Sequence, residues 1–123
     1  MTPRHLFDLR LIVLDADGTL LTSDELITTR TRAALAEAQA RGVTVAIATG
    51  RRRSRTIGIL EMLDLPGTYL VASQGTAVWH DPLGDVPQMI ADFHLPASSA
   101  RTVLDVVRGH DLALRSEEHT SEL

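Results

Sequence analysis

The 123-residue chain contains no cysteine and no lysine, and its 12 basic residues are all arginine. The absence of cysteine excludes disulfide bonds and thiolate metal sites. No segment approaches the roughly 20 apolar residues that a membrane-spanning helix needs, and the first ten residues lack the apolar centre of a signal peptide. A net charge of −4 gives no reason to expect a nucleic-acid or membrane partner. We therefore expect a cytoplasmic protein.

The composition is typical of a globular domain, with 44% hydrophobic and 23% charged residues. The length suffices for one domain with a real core, but it is short for an α/β enzyme that also has a separate substrate-covering part. The five histidines are scattered without the spacing of metal ligands. A histidine metal site is therefore not expected.

The most informative stretch is residues 11–20, where an apolar run ends at two carboxylates, a glycine and a threonine. The four aliphatic residues Leu11–Leu14 have no polar alternation, which predicts a strand buried on both faces, as in a parallel sheet. Asp15 then falls at the carboxyl end of that strand. In open α/β sheets, ligands bind at this edge.

Asp15 and Asp17 would repel each other at one strand tip, so we expect a positive group between them. Mg²⁺ suits a site made of oxygen ligands. Gly18 allows a sharp turn, and Thr19 offers a hydroxyl and an amide donor to an anion. The residue types thus predict a site for a metal and an anion. The alternative is a strand that simply ends in a solvated Asp-Gly turn.

A helix and a second strand follow. Thr28 or Thr29 can cap a helix that runs to about Arg41, and Gly42 can end it in a left-handed conformation. Residues 43–48 are a second candidate buried strand. Because a right-handed crossover makes the two strands parallel, their carboxyl ends should share one edge of the sheet.

Thr49 and Gly50 come directly after the second strand and should therefore lie near Asp15. The Thr49 hydroxyl and the free amides at the start of the next helix can bind phosphate oxygens. The alternative is an ordinary strand-to-helix turn. Four arginines crowd the start of that helix, and we expect Arg51 to help hold an anionic substrate while the others form a solvated face.

The remaining chain predicts three more strands and a helix. Residues 69–72 are the third strand, and Gln74 follows at its tip. The strand-like segments 77–80 and 87–93 are joined by turn residues and predict a hairpin or a short excursion. Ser98 or Ser99 should then begin a helix that closes at Gly109.

Two of these segments resemble a known family. Asp15-Ala16-Asp17-Gly18-Thr19 resembles the first motif of the haloacid dehalogenase superfamily, and Ala46–Arg51 resembles the second motif of its Cof-like branch. The resemblance implies an α/β fold, with a Rossmann-like parallel sheet and flanking helices. It also implies a Mg²⁺-dependent phosphatase that acts on a small phosphorylated metabolite.

The resemblance implies a role for each matching residue. Asp15 would attack phosphorus and form an aspartyl-phosphate, while Asp17 would protonate the leaving group and later activate water. Asp15 and Asp17, the latter through its main-chain carbonyl, would hold the metal. The other implied site residues are Gly18, Thr19, Thr49 and Gly50 for the phosphoryl group, and Arg51 and Gln74 for the substrate. Gln74 departs from the family's usual asparagine by one methylene.

The resemblance also divides the chain. Residues 1–80 would form the N-terminal part of the core, and residues 81–114 the beginning of an inserted α/β cap. The last nine residues, 115–123, resemble a translated sequencing adapter and are predicted to be a non-native tail. The family's lysine and further metal ligands lie after the cap, so we expect a truncated chain that lacks them.

Two alternatives to a working phosphatase follow. One is an inactive fragment that binds phosphate and Mg²⁺ weakly. The other is a phospho-acceptor module similar to a receiver domain, which the shared strand tip of Asp15 and Asp17 argues against. The sequence leaves the substrate and the oligomeric state open.

Overall fold

The computed structural model of the protein describes residues 8–111. The predicted tail and the end of the predicted cap lie outside these residues. The chain divides into two compact units, with the boundary between Asp92 and Phe93. In the part that the structure describes, no helix is long and apolar enough to cross a membrane.

The first unit is built on one mixed sheet. Its strands, in spatial and chain order, are β1 (Leu11–Asp15), β2 (Thr44–Ala48), β3 (Tyr69–Ala72), β4 (Ala77–His80) and β5 (Gln88–Asp92). β1, β2 and β3 are parallel, whereas β4 runs antiparallel to both β3 and β5. Short turns can join only antiparallel neighbours, which explains the change of direction after β3. The predicted α/β class and the hairpin are confirmed.

Helix α1 (Thr29–Ala40) follows the sequence prediction closely. The Thr28 hydroxyl oxygen accepts a hydrogen bond from the Thr31 N–H at 3.1 Å and caps the helix. Gly42 has a φ of 87°, the left-handed conformation expected just after the helix end. Both boundaries of α1 are thus encoded locally.

Helix α2 (Ile57–Leu63) packs on the same face of the sheet as α1. Successive right-handed crossovers that step in one direction across a sheet put their helices on one side. The core between this face and the two helices centres on residues with almost no exposed surface. They include Val45, Ile47, Leu63, Leu70 and Ala72.

The prediction that β1 is buried on both faces is wrong. Ile12 and Leu14 pack against the core, but the side chains facing the other way are open, with Leu11 52% and Val13 54% exposed. β1 is an edge strand of the sheet, and both helices of the unit cover the opposite face.

In the second unit, helix α3 comprises Ala97–Arg108 and ends at Gly109, as expected. The predicted start at Ser98 or Ser99 is wrong by one or two residues, since the helix begins at Ala97 with Pro96 in the N-cap position and no side-chain cap. The fixed φ of proline already suits a helix start, so the helix begins before Ser98. The structure places β5 in the main sheet, and the assignment of residues 81–114 to a cap stays a prediction.

Candidate active site

The tips of β1, β2 and β3 meet at one edge of the sheet. Asp15 pairs in register with Ala48, the last residue of β2. The Thr49 N–H donates to the Val71 carbonyl at 2.9 Å, which extends the pairing with β3 beyond the strand end. The parallel order of these strands thus places three loops side by side, as the sequence predicted.

A cleft of about 400 Å³ lies at this edge. Its lining residues are Asp15, Ala48, Thr49, Gly50, Val71, Gln74 and Gly75. Four residues singled out from the sequence therefore surround one space. Asp17 and Arg51 pair with each other at the same edge, whereas Gly18 and Thr19 do not line the cleft.

The turn after β1 explains how its polar residues are presented. The Leu21 N–H donates to the Ala16 carbonyl at 3.0 Å, and Ala16, Leu20 and Leu21 are buried. These apolar residues anchor the loop on both sides. Gly18 has a φ of 77°, so the reversal uses the glycine. The residues between the anchors, Asp17 to Thr19, remain exposed.

Thr49 is 7% exposed. Its hydroxyl oxygen accepts a hydrogen bond from the Arg51 N–H at 3.1 Å. Because the backbone amide supplies that proton, the hydroxyl keeps its own proton for another acceptor. Thr49 can therefore donate to a phosphoryl oxygen from a position that the backbone already fixes.

Arg51 is the positive group that binds Asp17. Its Nε donates to Asp17 Oδ2 at 2.9 Å, and its Nη2 donates to Asp17 Oδ1 at 2.5 Å. These hydrogen bonds hold the pKa of the Asp17 carboxyl below its usual value. They also raise the pKa of the guanidinium. From the sequence we expected a metal between the two aspartates and a contact of Arg51 with the substrate. In the structure, Arg51 binds Asp17.

A third charged residue completes this group, and sequence reasoning missed it. Arg51 Nη2 also lies 2.6 Å from Glu25 Oε1. Glu25 is separated from Arg51 by 26 positions and lies between Leu20 and the start of α1. Its sequence context gives no signal of this contact, because the pairing depends on the tertiary fold.

Asp15 differs from Asp17 in having an unengaged carboxylate. Among the described residues, no hydrogen bond or ion pair involves the Asp15 side chain. An oxygen-only donor in an open cleft fits a hard cation such as Mg²⁺. The same part of the chain contains no cluster of three His, Asp or Glu side chains that could hold a metal. Among the described residues, Asp15 thus supplies a carboxylate that could bind such a cation.

The arginines after Gly50 do not start an α-helix, which corrects the sequence prediction. They occupy a loop and a short 3₁₀ turn, Arg53–Arg55, before α2 begins. Arg53 does not belong to a solvated face, since its guanidinium lies 4.6 Å from the centre of the Trp79 ring and donates to the Pro82 carbonyl at 2.9 Å. Arg53 thus contacts β4 and the turn that follows it.

A second cavity of about 310 Å³ lies near Thr68, at the opposite end of β3 from Gln74. Asp81 lines it and accepts a hydrogen bond from the Gly67 N–H at 2.9 Å. That carboxylate therefore stabilises a turn. None of the predicted site residues lines this cavity.

The chain belongs to the haloacid dehalogenase-like hydrolases, whose family model matches residues 12–120. It is 39% identical over 72 residues to the 5-amino-6-(5-phospho-D-ribitylamino)uracil phosphatase YcsE of Bacillus subtilis, a match that covers 58% of this chain and 28% of the relative. It is 38% identical over 95 residues to an HMP-PP phosphatase of Serratia proteamaculans, covering 77% of this chain and 33% of the relative.

The fold comparison agrees. A haloacid dehalogenase-like hydrolase from B. subtilis superposes with a TM-score of 0.70 and 29% identity, over 82% of this chain and 34% of that protein. A phosphatase of the same superfamily from Bacteroides thetaiotaomicron superposes with a TM-score of 0.71 and 25% identity, over 89% of this chain and 38% of that protein. The chain thus spans about a third of the length of these relatives.

Proposed function

We propose that the cleft is the active site of a phosphatase that hydrolyses small phosphorylated metabolites through an aspartyl-phosphate on Asp15. The observation that carries the proposal is the unengaged Asp15 carboxylate in the same cleft as the buried Thr49 hydroxyl. A nucleophile and a donor to phosphoryl oxygens are the two parts that such a reaction needs first. The relatives, both named as phosphatases, support the same chemistry.

The reaction has two balanced steps. An Asp15 oxygen attacks phosphorus, the bond to the leaving oxygen breaks, and that oxygen takes a proton from the carboxylic acid of Asp17. Water then gives a proton to the Asp17 carboxylate and attacks phosphorus. The bond to Asp15 breaks, which releases inorganic phosphate and regenerates the nucleophile.

The pair with Arg51 constrains the role of Asp17. The lowered pKa of Asp17 favours the ionised form, which is the form needed to accept a proton from water. To donate a proton in the first step, Asp17 must be protonated, and the lowered pKa makes that form scarcer at neutral pH.

Mg²⁺, when bound, would neutralise charge on the transferring phosphoryl group. The donors that we assign to it are the Asp15 carboxylate and the main-chain carbonyl of Asp17. Gly18 and Thr19 would supply amide donors, and Gly50 would allow close approach of the phosphoryl group. Gln74, on the wall of the cleft, would contact the substrate. A cytoplasmic location remains a prediction from the sequence.

A second candidate function is binding of phosphate and Mg²⁺ without turnover. Two observations favour it: the chain has no lysine to neutralise the nucleophile and the phosphate, and the described residues hold no three-ligand metal cluster. A group that stabilises negative charge in the transition state contributes about 3 kcal/mol, so an active site without several of them would be a weak catalyst. The family match gives no support to a receiver-like module.

Turnover of an aryl phosphate with Mg²⁺ tests the two candidates. We expect Asp15→Asn to reduce any turnover to background, and Asp85→Asn, an exposed acid in the β4–β5 turn, to leave it unchanged. Turnover that persists in Asp15→Asn would overturn the proposed nucleophile. Folded wild-type protein that binds phosphate without turnover would favour the second candidate.

A further inference from the structure

The turn that carries Glu25 is closed on itself. The Thr22 N–H donates to the Leu26 carbonyl at 2.9 Å, and the Glu25 N–H donates to the Thr22 carbonyl at 3.0 Å. The Thr22 hydroxyl oxygen accepts from the Leu26 N–H at 3.2 Å. Three hydrogen bonds within five residues thus fix where the Glu25 side chain leaves the backbone.

Glu25 sits in this turn at a φ of 58°. The left-handed region disfavours a residue with a Cβ, and glycine is the usual choice there. A non-glycine residue in this region suggests the hypothesis that its side chain has a role. The polar contact recorded for that side chain is the one to Arg51, at 2.6 Å.

The three charged side chains are not equally exposed. The Arg51 side chain is 31% exposed, whereas those of Asp17 and Glu25 are 56% and 68% exposed. Arg51 is therefore the least exposed of the three side chains, and its guanidinium contacts both carboxylates. Nη2 is shared, since it contacts Asp17 Oδ1 at 2.5 Å and Glu25 Oε1 at 2.6 Å.

We propose that Glu25 is a positioning residue that fixes the Arg51 guanidinium so that Nε and Nη2 both face Asp17. An arginine side chain has several rotatable bonds, and a bidentate pair with one exposed carboxylate orients the two groups relative to each other but leaves the pair as a whole free to move. A second anchor on Nη2 restricts the plane of the guanidinium, so Asp17 is held by both of its oxygens. The inference rests on the proposed function, because Asp17 is the acid and base of that reaction.

The competing possibility is that Glu25 only draws Arg51 away from Asp17. In that case its removal would tighten the pair of Arg51 with Asp17. The two roles therefore predict opposite changes at Arg51 Nε, whose proton is donated to Asp17 Oδ2.

Hydrogen exchange at Arg51 Nε, followed by NMR on the full chain at fixed neutral pH, separates these roles. The signal is assigned by its loss in Arg51→Lys. We expect Glu25→Gln to speed this exchange by up to about fivefold, the range for one exposed ion pair. Glu37→Gln removes an exposed ion pair between α1 and Arg41, the residue that follows the helix, and should leave the exchange unchanged. Unchanged or slower exchange in Glu25→Gln would overturn the proposal.

Glu25→Gly separates positioning from fold stability. It removes the carboxylate but relieves the left-handed strain, so we expect faster Arg51 exchange in a chain whose Tm equals or exceeds that of the wild type. If Glu25→Gln and Glu25→Gly both speed exchange at Arg51 Nε and both lower the Tm, the faster exchange would reflect a less stable fold. That result would contradict the proposal.

Turnover, where the wild type has it, gives an independent readout. We expect Glu25→Gln to lower kcat with little change in KM, as for loss of an oriented acid and base. Absence of wild-type turnover would bear on the proposed function alone, since the exchange measurement does not depend on it.

Discussion

The side-chain amide of Gln74 lies directly over Gly50. A Cβ on Gly50 would stand 2.5 Å from Gln74 Nε2 and 3.0 Å from its Cδ. Gln74 itself adopts a φ of 59° at the tip of β3. The wall of the cleft thus depends on a glycine on one strand tip and an amide on the next.

Substitution of Gly50 should displace Gln74. We expect Gly50→Ala to lower the free energy of unfolding by less than about 1 kcal/mol, because the obstructing atoms are the flexible end of a side chain. Gln74→Asn shortens the side chain and suits the left-handed region, so in that background the cost should largely vanish. Urea unfolding of the two single variants and the double variant measures the coupling. If Gly50→Ala lowers the free energy of unfolding equally in the wild type and in Gln74→Asn, the contact between position 50 and the Gln74 amide does not affect stability.

The Thr49 hydroxyl should stabilise the loop after β2. Thr49→Val preserves shape but removes the acceptor of the Arg51 N–H, so we expect a loss of about 1 kcal/mol in the free energy of unfolding. Thr49→Ser keeps the acceptor and should lose less. Urea unfolding of the three proteins checks this order. A serine variant as unstable as the valine variant would place the effect in packing.

The pair of Asp17 with Arg51 should make stability depend on pH in the acid range. Since the folded-state pKa of Asp17 lies below its usual value of about 3.9, the pair stabilises the fold above that pH and loses its effect as pH falls through the folded-state pKa. We expect the stability difference between the wild type and Asp17→Asn to shrink below about pH 4.

Urea unfolding of both proteins between neutral and strongly acid pH measures this difference. Because the Asp17 side chain is 56% exposed, added salt should reduce it. A difference that stays constant to the lowest pH would mean that the carboxylate is not stabilised by the pair.

The two faces of the sheet should respond differently to substitution. Leu70 is fully buried between β2 and β4, so we expect Leu70→Ala to cost about 2 to 5 kcal/mol. Val13 is 54% exposed on the opposite face of β1, and Val13→Thr should change stability by about 0.5 kcal/mol or less. Thermal and urea unfolding of both variants tests the contrast. A large loss in Val13→Thr would show that this face is covered in solution.

Several features could be predicted from residues close together in sequence. The apolar runs located β1, β2 and β3, and the threonine and glycine signals located both ends of α1. The order of these elements then placed Asp15 and Thr49 at one edge, because a right-handed crossover makes successive strands parallel. The family resemblance came from short motifs at these same strand ends, and the family match confirms it.

The tertiary structure alone decided which side chains meet. Arg51 binds Asp17 across 34 positions of the chain and Glu25 across 26, and the Gln74 amide lies over Gly50. It also decided that β1 is an edge strand with one open face. Periodicity and capping are properties of neighbouring residues, so they determine where elements begin and end. Side-chain pairs between elements depend on how the elements pack, and this packing cannot be predicted from residues that are neighbours in sequence.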